Sequence, residues 1–311
     1  MQAYILQDPS GPAALHLTQL PTPTPGPDEV LVRTKALSIN PIDAATTHGK
    51  GAYDSVKDES PMRVGWDIAG EVTEAGADVT QFKVGDAVFG LINFRGHGHA
   101  YAEYVAAPAG QLAPKPANVS YEQAAAASMA ALTAWQALAQ ARVQPGQRVL
   151  VHAAAGGVGH YAVQLARELG AHVIGTASGE KLAFVRALGA DEVVDYTKVK
   201  FENTVAPVDV VLDSLGIEHL DLSLQVVRPG GVLLSLKGVT PELTARAQAQ
   251  QVRAISISVA SNGADQNALA ERLADGRLHS YIGGTYPFVQ LVEAVRQVEG
   301  GKSQGKIVVT L

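Results

Sequence analysis

The sequence predicts an α/β protein that combines a β-rich domain with a doubly wound domain containing a parallel sheet. From about Gln2 to Lys115, short β-forming runs alternate with Gly and Pro turns, which is the pattern of a small, partly open barrel. From about Ser120, helical segments alternate with Val/Ile/Leu runs, as they do in βαβ units. The 311 residues are enough for two domains with their own cores.

In the β-rich region, runs bounded by turn residues predict four strands: Glu29–Leu37, Asp67–Glu74, Ala87–Leu91 and Ala102–Ala106. The end of the chain holds an amphipathic helix, Val289–Val298, and a final strand, Lys306–Thr310. We expect this tail to return to the β-rich domain. The predicted domains are therefore residues 1–118 with 279–311, and residues 119–278.

The doubly wound region contains three predicted helices: Tyr121–Ala141, His160–Leu169 and Lys181–Leu188. Its predicted strands are Arg148–Ala153, His172–Thr176, Glu192–Asp195, Val208–Asp213, Gly231–Leu236 and Ala254–Val259. The apolar stretch Ala124–Ala141 is rich in Ala and interrupted by polar side chains, so it is interpreted as a buried globular helix and not as a membrane span.

The composition argues against several classes of protein. A net charge of −6 does not suit a general binder of phosphate backbones. The absence of Cys excludes disulfides, Cys-based zinc sites and a thiolate nucleophile, and it suits a reducing compartment. The first residues, Met1–Gln7, lack the basic and apolar regions of a secretory signal. We therefore expect a cytoplasmic protein with no nucleic-acid and no membrane partner.

The most specific motif lies at Arg148–Gly159, where an apolar strand leads into a Gly-rich loop and then a helix. Ala154, Gly156 and Gly159 fill the three positions of G-x-G-x-x-G, with Ala in place of the first Gly. Gly156 lets the backbone approach a pyrophosphate, and Gly159 lets the helix pack close to the strand. A purely structural turn is the alternative. The residues expected at the phosphates are Ala155, Gly156, Gly157 and Val158.

The end of the next predicted strand favours NADPH over NADH. NAD-binding domains usually carry Asp or Glu about 20 residues after the first glycine, whereas Thr176 and Ser178 stand here. Ser178 suits a helix N-cap, which puts Lys181 at the third helical position, where the dipole disfavours a cation by up to about 1 kcal/mol. An adjacent anion such as the 2′-phosphate explains a cation there. A solvent-facing lysine, and a ribose contact by Glu180, are the alternatives.

Ten ordered segments cover nearly the whole chain: Leu37–Asp43, Gly65–Val72, Phe82–Val88, Ala102–Tyr104, Leu132–Ala134, Ala154–Gly159, Gly189–Asp191, Asp195–Tyr196, Asp213–Gly216 and Gly305–Val308. Together they resemble the medium-chain dehydrogenase/reductases, in their zinc-independent quinone oxidoreductase branch. The resemblance implies a GroES-like β-rich domain, a Rossmann dinucleotide-binding domain and a homodimer.

No metal site is predicted. The zinc-dependent branch of the family has a His-Glu pair where this chain has Trp66–Asp67, and it needs an early Cys ligand that is absent here. His97 and His99 alternate in the Gly-rich stretch Arg95–His99 and attract attention as ligands. With no Cys and no evident acidic partner in the sequence, they are more typical of loop residues.

The resemblance also assigns site residues. Asn40, supported by Asp43, is implied near the nicotinamide and substrate, and Tyr53 is implied to face the site; these two are the candidate catalytic residues. Thr133 is implied beside the nicotinamide ribose. The other implied cofactor contacts are Ser178, Lys181 and Tyr196 at the 2′-phosphate, and Leu215, Leu236, Gly305 and Lys306 at the nicotinamide end. Without the resemblance, Asn40 is equally well explained as a turn residue before Pro41. Thr133 is equally well explained as a helix residue whose hydroxyl bonds to a backbone carbonyl of the preceding turn.

These observations predict an NADPH-dependent oxidoreductase that delivers hydride, without zinc, to a small quinone or an α,β-unsaturated carbonyl compound. The charge that develops on the carbonyl oxygen then needs a hydrogen-bond donor, which is Asn40, Tyr53 or a cofactor ribose hydroxyl. Two alternatives remain open: a 2-enoyl thioester reductase of the same fold, and a non-enzymatic NADPH-binding or structural protein. An intact Gly loop together with Asn40 and Thr133 argues against the non-enzymatic alternative.

Overall fold

A computed structural model describes every residue, Met1–Leu311, and the chain divides into two compact units. The first unit comprises Met1–Leu132 and Ala260–Leu311, and the second comprises Thr133–Val259. None of the helices combines the length and the apolar character that crossing a membrane requires.

The strands are β1 Gln2–Leu6, β2 Leu15–Gln19, β3 Glu29–Ile39, β4 Asp67–Ala75, β5 Ala87–Leu91, β6 Tyr104–Pro108, β7 Ala113–Pro114, β8 Arg148–Val151, β9 His172–Ala177, β10 Glu192–Asp195, β11 Val208–Asp213, β12 Val227–Ser235, β13 Arg253–Ser256, β14 Ile282–Pro287 and β15 Lys306–Thr310. The helices are α1 Pro41–Thr47, α2 Tyr121–Ala141, α3 Gly159–Glu168, α4 Leu182–Ala187, α5 Ile217–Val226, α6 Pro241–Ala249, α7 Gly263–Ala274 and α8 Leu291–Glu299.

The first unit is organised around β3, which pairs antiparallel with β4, β6 and β15. Its main sheet has the order β14-β15-β3-β4-β5-β7, with β6 beside β3. Apolar side chains on one face of these strands form the core, including the fully buried Val32, Ile68 and Val88. The prediction of a β-rich domain completed by the C-terminal strand is confirmed.

The second unit contains six parallel strands in the order β10-β9-β8-β11-β12-β13. The chain starts at β8, builds outward through β9 and β10, and then returns to place β11 on the other side of β8. This is the Rossmann order, so the predicted doubly wound sheet is confirmed. Ligands of such sheets bind beyond the carboxyl ends of the strands where the order reverses, which here lies between β8 and β11.

Tertiary pairing moves several predicted elements by a few residues. Elements β5, α2, β10, β11 and β15 keep their predicted bounds. The strand predicted at Ala102–Ala106 lies at Tyr104–Pro108, because Ala102 makes only an isolated bridge to Ala3 and the pairing with β3 begins at Tyr104. The helix predicted from Lys181 begins one residue later, after a 3-10 turn. The sequence patterns missed α1, α5, α6, α7 and the short strands β1, β2, β7 and β14.

The unit boundaries also differ from the predicted ones at residues 118 and 279, since the first lies within α2 and the second at Ala260. Helix α7 belongs to the first unit because it packs on that unit's loops. The Asn118 side-chain amide donates to the Ala274 carbonyl at 2.8 Å. A Cβ atom on Gly263 would lie only 2.4 Å from the Gly110 carbonyl oxygen, so the helix start and this loop are in close contact. The alternation of elements alone could not assign this segment.

The irregular β3–β4 ladder predicts that Gly70→Ala destabilises the protein. The pairing register shifts beside Gly70, and an added Cβ would lie 2.1 Å from the Arg33 carbonyl oxygen and 2.8 Å from Val32. We expect the free energy of unfolding to fall by about 1–3 kcal/mol, the usual effect of overpacking. Chemical denaturation measures it. The matched control is Gly110→Ala, whose Cβ meets nothing within 4 Å, and equal destabilisation by both variants would contradict the steric argument.

Candidate functional site

A buried polar cluster lies where three strands of the first unit meet. Ser38 is near the end of β3, Asn40 is the N-cap of α1, Asp67 begins β4 and Lys306 begins β15. None of these side chains is more than 3% exposed. Buried polar groups require hydrogen-bond partners, so the cluster is stable only if its members satisfy one another.

The Asn40 side chain is held at both ends by groups of opposite charge. Its Nδ2 donates to Asp67 Oδ2 at 2.8 Å, and its Oδ1 accepts from Lys306 Nζ at 2.5 Å. The carboxylate needs a donor and the ammonium needs an acceptor, so only one orientation of the amide satisfies both. One N–H of the amide remains beyond the bond to Asp67.

Asp67 and Lys306 are the charged centres of the cluster. Asp67 Oδ2 also accepts from the Ser38 hydroxyl at 2.5 Å, and its Oδ1 accepts from the Met129 backbone N–H at 2.9 Å. Lys306 Nζ donates a second bond to the Ile39 carbonyl at 3.0 Å. Burial raises the pKa of Asp67 and lowers the pKa of Lys306, while their mutual attraction opposes both shifts.

Asp43 supports the Asn40 backbone and carries a strongly perturbed carboxyl group. Its Oδ2 accepts from the Asn40 backbone N–H at 2.7 Å, as an acidic residue in the first turn of a helix commonly does. Burial raises the pKa of Asp43 to about 7, and the nearby negative charge of Asp67 adds to the rise. A protonated Asp43 leaves Asp67 as the one carboxylate opposite the Lys306 ammonium.

The other predicted residues of this unit lie close to the same strand ends or on a turn. Gly305 precedes β15 with φ +66°, and an added Cβ would lie 2.1 Å from the Tyr281 carbonyl oxygen, so only Gly fits. Tyr53 begins a 3-10 turn, Tyr53–Ser55, and is half-buried. Its hydroxyl takes part in none of the hydrogen bonds in the structure, so it can donate to a bound molecule. The structure brings Asn40 and Lys306 together, and no bond links Tyr53 to them.

In the second unit, the Gly-rich loop connects β8 to α3. Gly159 begins α3, and an added Cβ there would lie 2.2 Å from the Ala153 carbonyl oxygen, which is the close strand–helix approach that the motif predicts. The backbone N–H groups of Gly157 and Val158 have no partner within the chain. They precede the N-terminus of a ten-residue helix, and unpaired N–H groups at such a position can bind an anion such as a pyrophosphate.

Ser178, Lys181 and Tyr196 lie at one edge of the same sheet. Strands β9 and β10 pair at Ala177 and Asp195, so the residues that follow them are neighbours, and the Tyr196 backbone N–H donates to the Ala177 carbonyl at 3.3 Å. Ser178 occupies an N-cap position, but its hydroxyl makes no capping bond, which leaves it available to a ligand. Lys181 ends the 3-10 turn and is half-buried, and Tyr196 is 59% exposed.

The remaining predicted contacts are Thr133, Leu215 and Leu236. Thr133 lies on α2 and is 8% exposed. The Leu215 backbone N–H donates to the Asp213 carboxylate at 2.8 Å. The Leu236 backbone N–H donates to the Asp213 carbonyl at 2.9 Å. Asp213 ends β11, so it holds these two residues together at the carboxyl edge of the sheet.

A buried network behind the Gly-rich loop was missed from the sequence. His152 Nδ1 lies 3.1 Å from Thr176 Oγ1, and its Nε2 lies 3.2 Å from Ser223 Oγ, which donates to Asp213 Oδ2 at 2.7 Å. His219 Nδ1 lies 2.9 Å from the same carboxylate oxygen. The network thus runs from the loop to Asp213. A His at the end of an apolar strand, directly before the glycines, is the sequence feature that could have indicated it.

The environment fixes the charge states in this network. Burial lowers the pKa of His152 to about 3, so its imidazole is neutral at physiological pH. Burial alone would raise the pKa of Asp213, but the hydrogen bonds from His219 and Ser223 and the proximity of His152 outweigh it, and the net shift is downward. A neutral His152 that donates from Nε2 to Ser223 and accepts from Thr176 at Nδ1 satisfies every member.

Comparisons with known proteins match both units. Residues 26–117 match the alcohol dehydrogenase GroES-like domain, and residues 188–309 match the family described as zinc-binding dehydrogenase. The NADPH-dependent alkenal/one oxidoreductase of Arabidopsis thaliana chloroplasts is 32% identical over 99% of this chain and 79% of its own length. The quinone oxidoreductase structure from Coxiella burnetii is 35% identical with a TM-score of 0.95, covering 100% of this chain and 99% of that one. The CurK enoyl reductase structure is 26% identical with a TM-score of 0.90, covering 99% and 98%.

The raised pKa of Asp43 predicts a pH dependence of stability. The folded carboxyl keeps its proton up to about pH 7, whereas the unfolded one loses it near its ordinary pKa of about 3.9. The folded state therefore binds more protons between these values, and the free energy of unfolding falls as the pH rises from about 4 to 7. Asp43→Asn should flatten this part of the profile in denaturation at pH 5, 6, 7 and 8. Asp58→Asn, at an exposed position, is the control, and an unaltered profile in Asp43→Asn would refute the assignment.

Proposed function

The chain belongs to the medium-chain dehydrogenase/reductase superfamily, and we propose that it is an NADPH-dependent oxidoreductase that reduces small quinones or α,β-unsaturated carbonyl compounds without zinc. The observation that carries the proposal is the pairing of an intact dinucleotide loop with a buried Asn40–Lys306–Asp67 cluster that offers hydrogen-bond donors and no metal-binding set. The similar proteins support the reaction type, and the loop and the cluster add the candidate residues for cofactor and acceptor.

A pyridine nucleotide fits the second unit. The free N–H groups of Gly157 and Val158 would bind the pyrophosphate, and Ser178, Lys181 and Tyr196 would bind the 2′-phosphate that distinguishes NADPH from NADH. Asp195 ends β10 and accepts through Oδ1 from both the backbone N–H and the hydroxyl of Thr197. No acidic residue ends β9, where NAD-binding domains usually place the carboxylate for the ribose hydroxyls, and this favours NADPH.

Zinc independence is supported by the chemistry around Asp67. A catalytic zinc ion needs thiolate, imidazole or carboxylate ligands with free electron pairs. The chain has no Cys, and the groups that contact Asp67 are the donors of Ser38, Asn40 and Met129. The ammonium of Lys306, bonded to Asn40, would repel a cation. These residues do not fit a zinc ion, although one matched family is described as zinc-binding.

The bound nicotinamide would supply the hydride, and the chain's residues would position the acceptor and meet the charge on its oxygen. Asn40 has one N–H left for this purpose, in an orientation fixed by Asp67 and Lys306. Tyr53 has a free hydroxyl that can donate a hydrogen bond or a proton. Lys306 Nζ donates to the Ile39 carbonyl and to Asn40 Oδ1, so we assign it the role of positioning Asn40.

The proposal includes a homodimer and a cytoplasmic location. Strand β13 lies at an edge of the six-stranded sheet, with one side unpaired by any other strand of the chain. Edge strands of this kind pair readily with a second copy. Size-exclusion chromatography with light scattering measures the mass in solution, and we expect twice the 32.4 kDa of one chain.

The decisive experiment compares NADPH and NADH oxidation with 1,4-benzoquinone, 9,10-phenanthrenequinone, a short 2-alkenal and crotonyl-CoA. We expect turnover that prefers NADPH with a quinone or the alkenal. Preference for crotonyl-CoA would favour the enoyl thioester reductase alternative, for which the CurK likeness is the supporting observation. Binding of NADPH without turnover of any acceptor would contradict the proposed function.

Lys181→Ala should raise the KM for NADPH by about tenfold or more, since a hydrogen bond to a charged group contributes about 1.5–3 kcal/mol. The KM for NADH should change little, because NADH has no 2′-phosphate. Initial rates with the best acceptor provide the measurement. Lys83→Ala, an exposed lysine of the first unit, is the matched control. Equal effects on both cofactors would remove Lys181 from the phosphate site.

A further inference from the structure

Three side chains with metal-ligating atoms converge in the first unit: Glu59, His97 and His99. His97 Nδ1 lies 3.2 Å and His99 Nε2 lies 2.9 Å from Glu59 Oε2. One ligand atom from each of the three residues can be chosen so that all lie within 4.8 Å of one another. The side chains are 18% exposed for Glu59, 25% for His99 and 46% for His97, so ions in solution can reach the group.

The loop that carries the two histidines is held in place from several sides. The Trp66 indole N–H donates to the Gly96 carbonyl at 2.8 Å, and the Ala100 backbone N–H donates to the Gly65 carbonyl at 3.1 Å. A Cβ atom on Gly98 would lie 2.3 Å from the Gly65 carbonyl oxygen, so the loop packs directly against the residues that precede β4. These contacts fix the backbone from which both histidines project.

His99 also adopts a backbone conformation that disfavours ordinary residues. Its φ is +56°, in the left-handed region. Such a conformation persists only where the surroundings enforce it, and it concentrates at functional sites. A Gly would fit this position without strain. His is one of the residue types enriched in this region, so the conformation is compatible with an imidazole at this position.

Arg63 acts on the other oxygen of the carboxylate. Its guanidinium donates to Glu59 Oε1 at 2.6 Å. His99 Nε2 lies 2.8 Å from the same oxygen and 2.9 Å from Oε2, and His97 Nδ1 contacts Oε2. Carboxylate ligands of metal ions are commonly held by such an outer hydrogen bond. The guanidinium therefore orients the carboxylate while Oε2 stays available.

We propose that Glu59, His97 and His99 form a binding site for one divalent transition-metal ion, with Zn²⁺ as the best match. Two imidazoles and one carboxylate are ligands that Zn²⁺ prefers, and water completes a tetrahedral set. Bonds of about 2.0–2.2 Å place tetrahedral ligands about 3.3 Å apart, so small side-chain rotations from the present positions suffice. Binding through His97 Nδ1 and His99 Nε2 needs a lone pair on each of these atoms, so each neutral imidazole keeps its proton on its other ring nitrogen.

The site has a structural and not a hydride-transfer role. Glu59 and Arg63 lie in the segment between Tyr53 and β4, whereas the histidines lie in the loop after β5. A bound ion adds a further link between these two segments, which are already joined by the Trp66–Gly96 and Ala100–Gly65 hydrogen bonds and by the contacts to Glu59. The second His-Asp-His group of the chain, at Asp213, is different because the Ser223 hydroxyl already bonds to its carboxylate and lies beside His152.

The test uses the full chain without a polyhistidine tag, treated with a chelator and then titrated with Co²⁺ and Zn²⁺. We expect one Co²⁺ per chain with the visible absorbance of a tetrahedral complex, displacement by Zn²⁺, and a thermal midpoint that rises with Zn²⁺ concentration. His97→Ala and His99→Ala should each weaken Co²⁺ binding by at least tenfold. His97 is the more informative position, because its exposed side chain can be removed with little risk to folding.

His172→Ala is the matched control, since His172 also lies beside two carboxylates, Asp191 and Glu192, but offers one imidazole. Its Co²⁺ binding should equal that of the unaltered protein. No saturable binding, or binding that survives in both His97→Ala and His99→Ala, would overturn the proposal. Reduction of a quinone or of the 2-alkenal is a separate readout: absence of turnover with both would contradict the proposed function and leave the metal site intact.

Discussion

Burial of the Asp67 carboxylate is the constraint on which the first unit depends. An ionised group in an apolar core is tolerated only with an opposite charge and hydrogen-bond donors around it. Here the ammonium comes from Lys306, nearly 240 residues later in the chain, and it arrives because β15 pairs with β3 in a register that sets Ile307 against Ile39. A slip of one residue would turn Lys306 to the other face of the sheet. The β15–β3 register therefore places the Lys306 ammonium beside Asn40 and Asp67, and the burial of Asp67 in turn disfavours any other register.

The second unit also buries a carboxylate, that of Asp213, but hydrogen bonds from neutral groups surround it in place of a buried ammonium. Parallel strands deliver His152, Thr176 and Asp213 to one edge, where the order of the sheet reverses. Ser223, on α5, closes the network between the imidazole and the carboxylate. Because Asp213 also bonds to the backbone of Leu215, the polar groups behind the Gly-rich loop and those beyond β11 form one hydrogen-bonded structure. The loop's free N–H groups are presented by this rigid base.

Local sequence patterns predicted most of the strands and several of the helices, but they did not predict which distant side chains contact one another. The strand, Gly-rich loop and helix at β8 and α3 could be predicted because their residues are adjacent in sequence. The burial of Lys306 could not, since its terminal position and charge are typical of surface residues. Glu59 was likewise invisible as the partner of His97, because 38 residues separate them and only folding brings the two segments together. The segment that forms α7 was not predicted as a helix, and its sequence does not indicate which surface it covers; it groups with the first unit in the structure.

The doubly anchored amide of Asn40 makes three distant positions mutationally interdependent. Replacing Lys306 by a neutral residue leaves Asp67 without its counter-charge and Asn40 Oδ1 without its donor, whereas a second replacement at Asp67 removes the uncompensated charge. Energetic effects at positions 40, 67 and 306 are therefore non-additive, and paired changes are tolerated better than single ones. We therefore expect the cluster to be exchanged as a set, since each single replacement leaves a buried polar group without its partner.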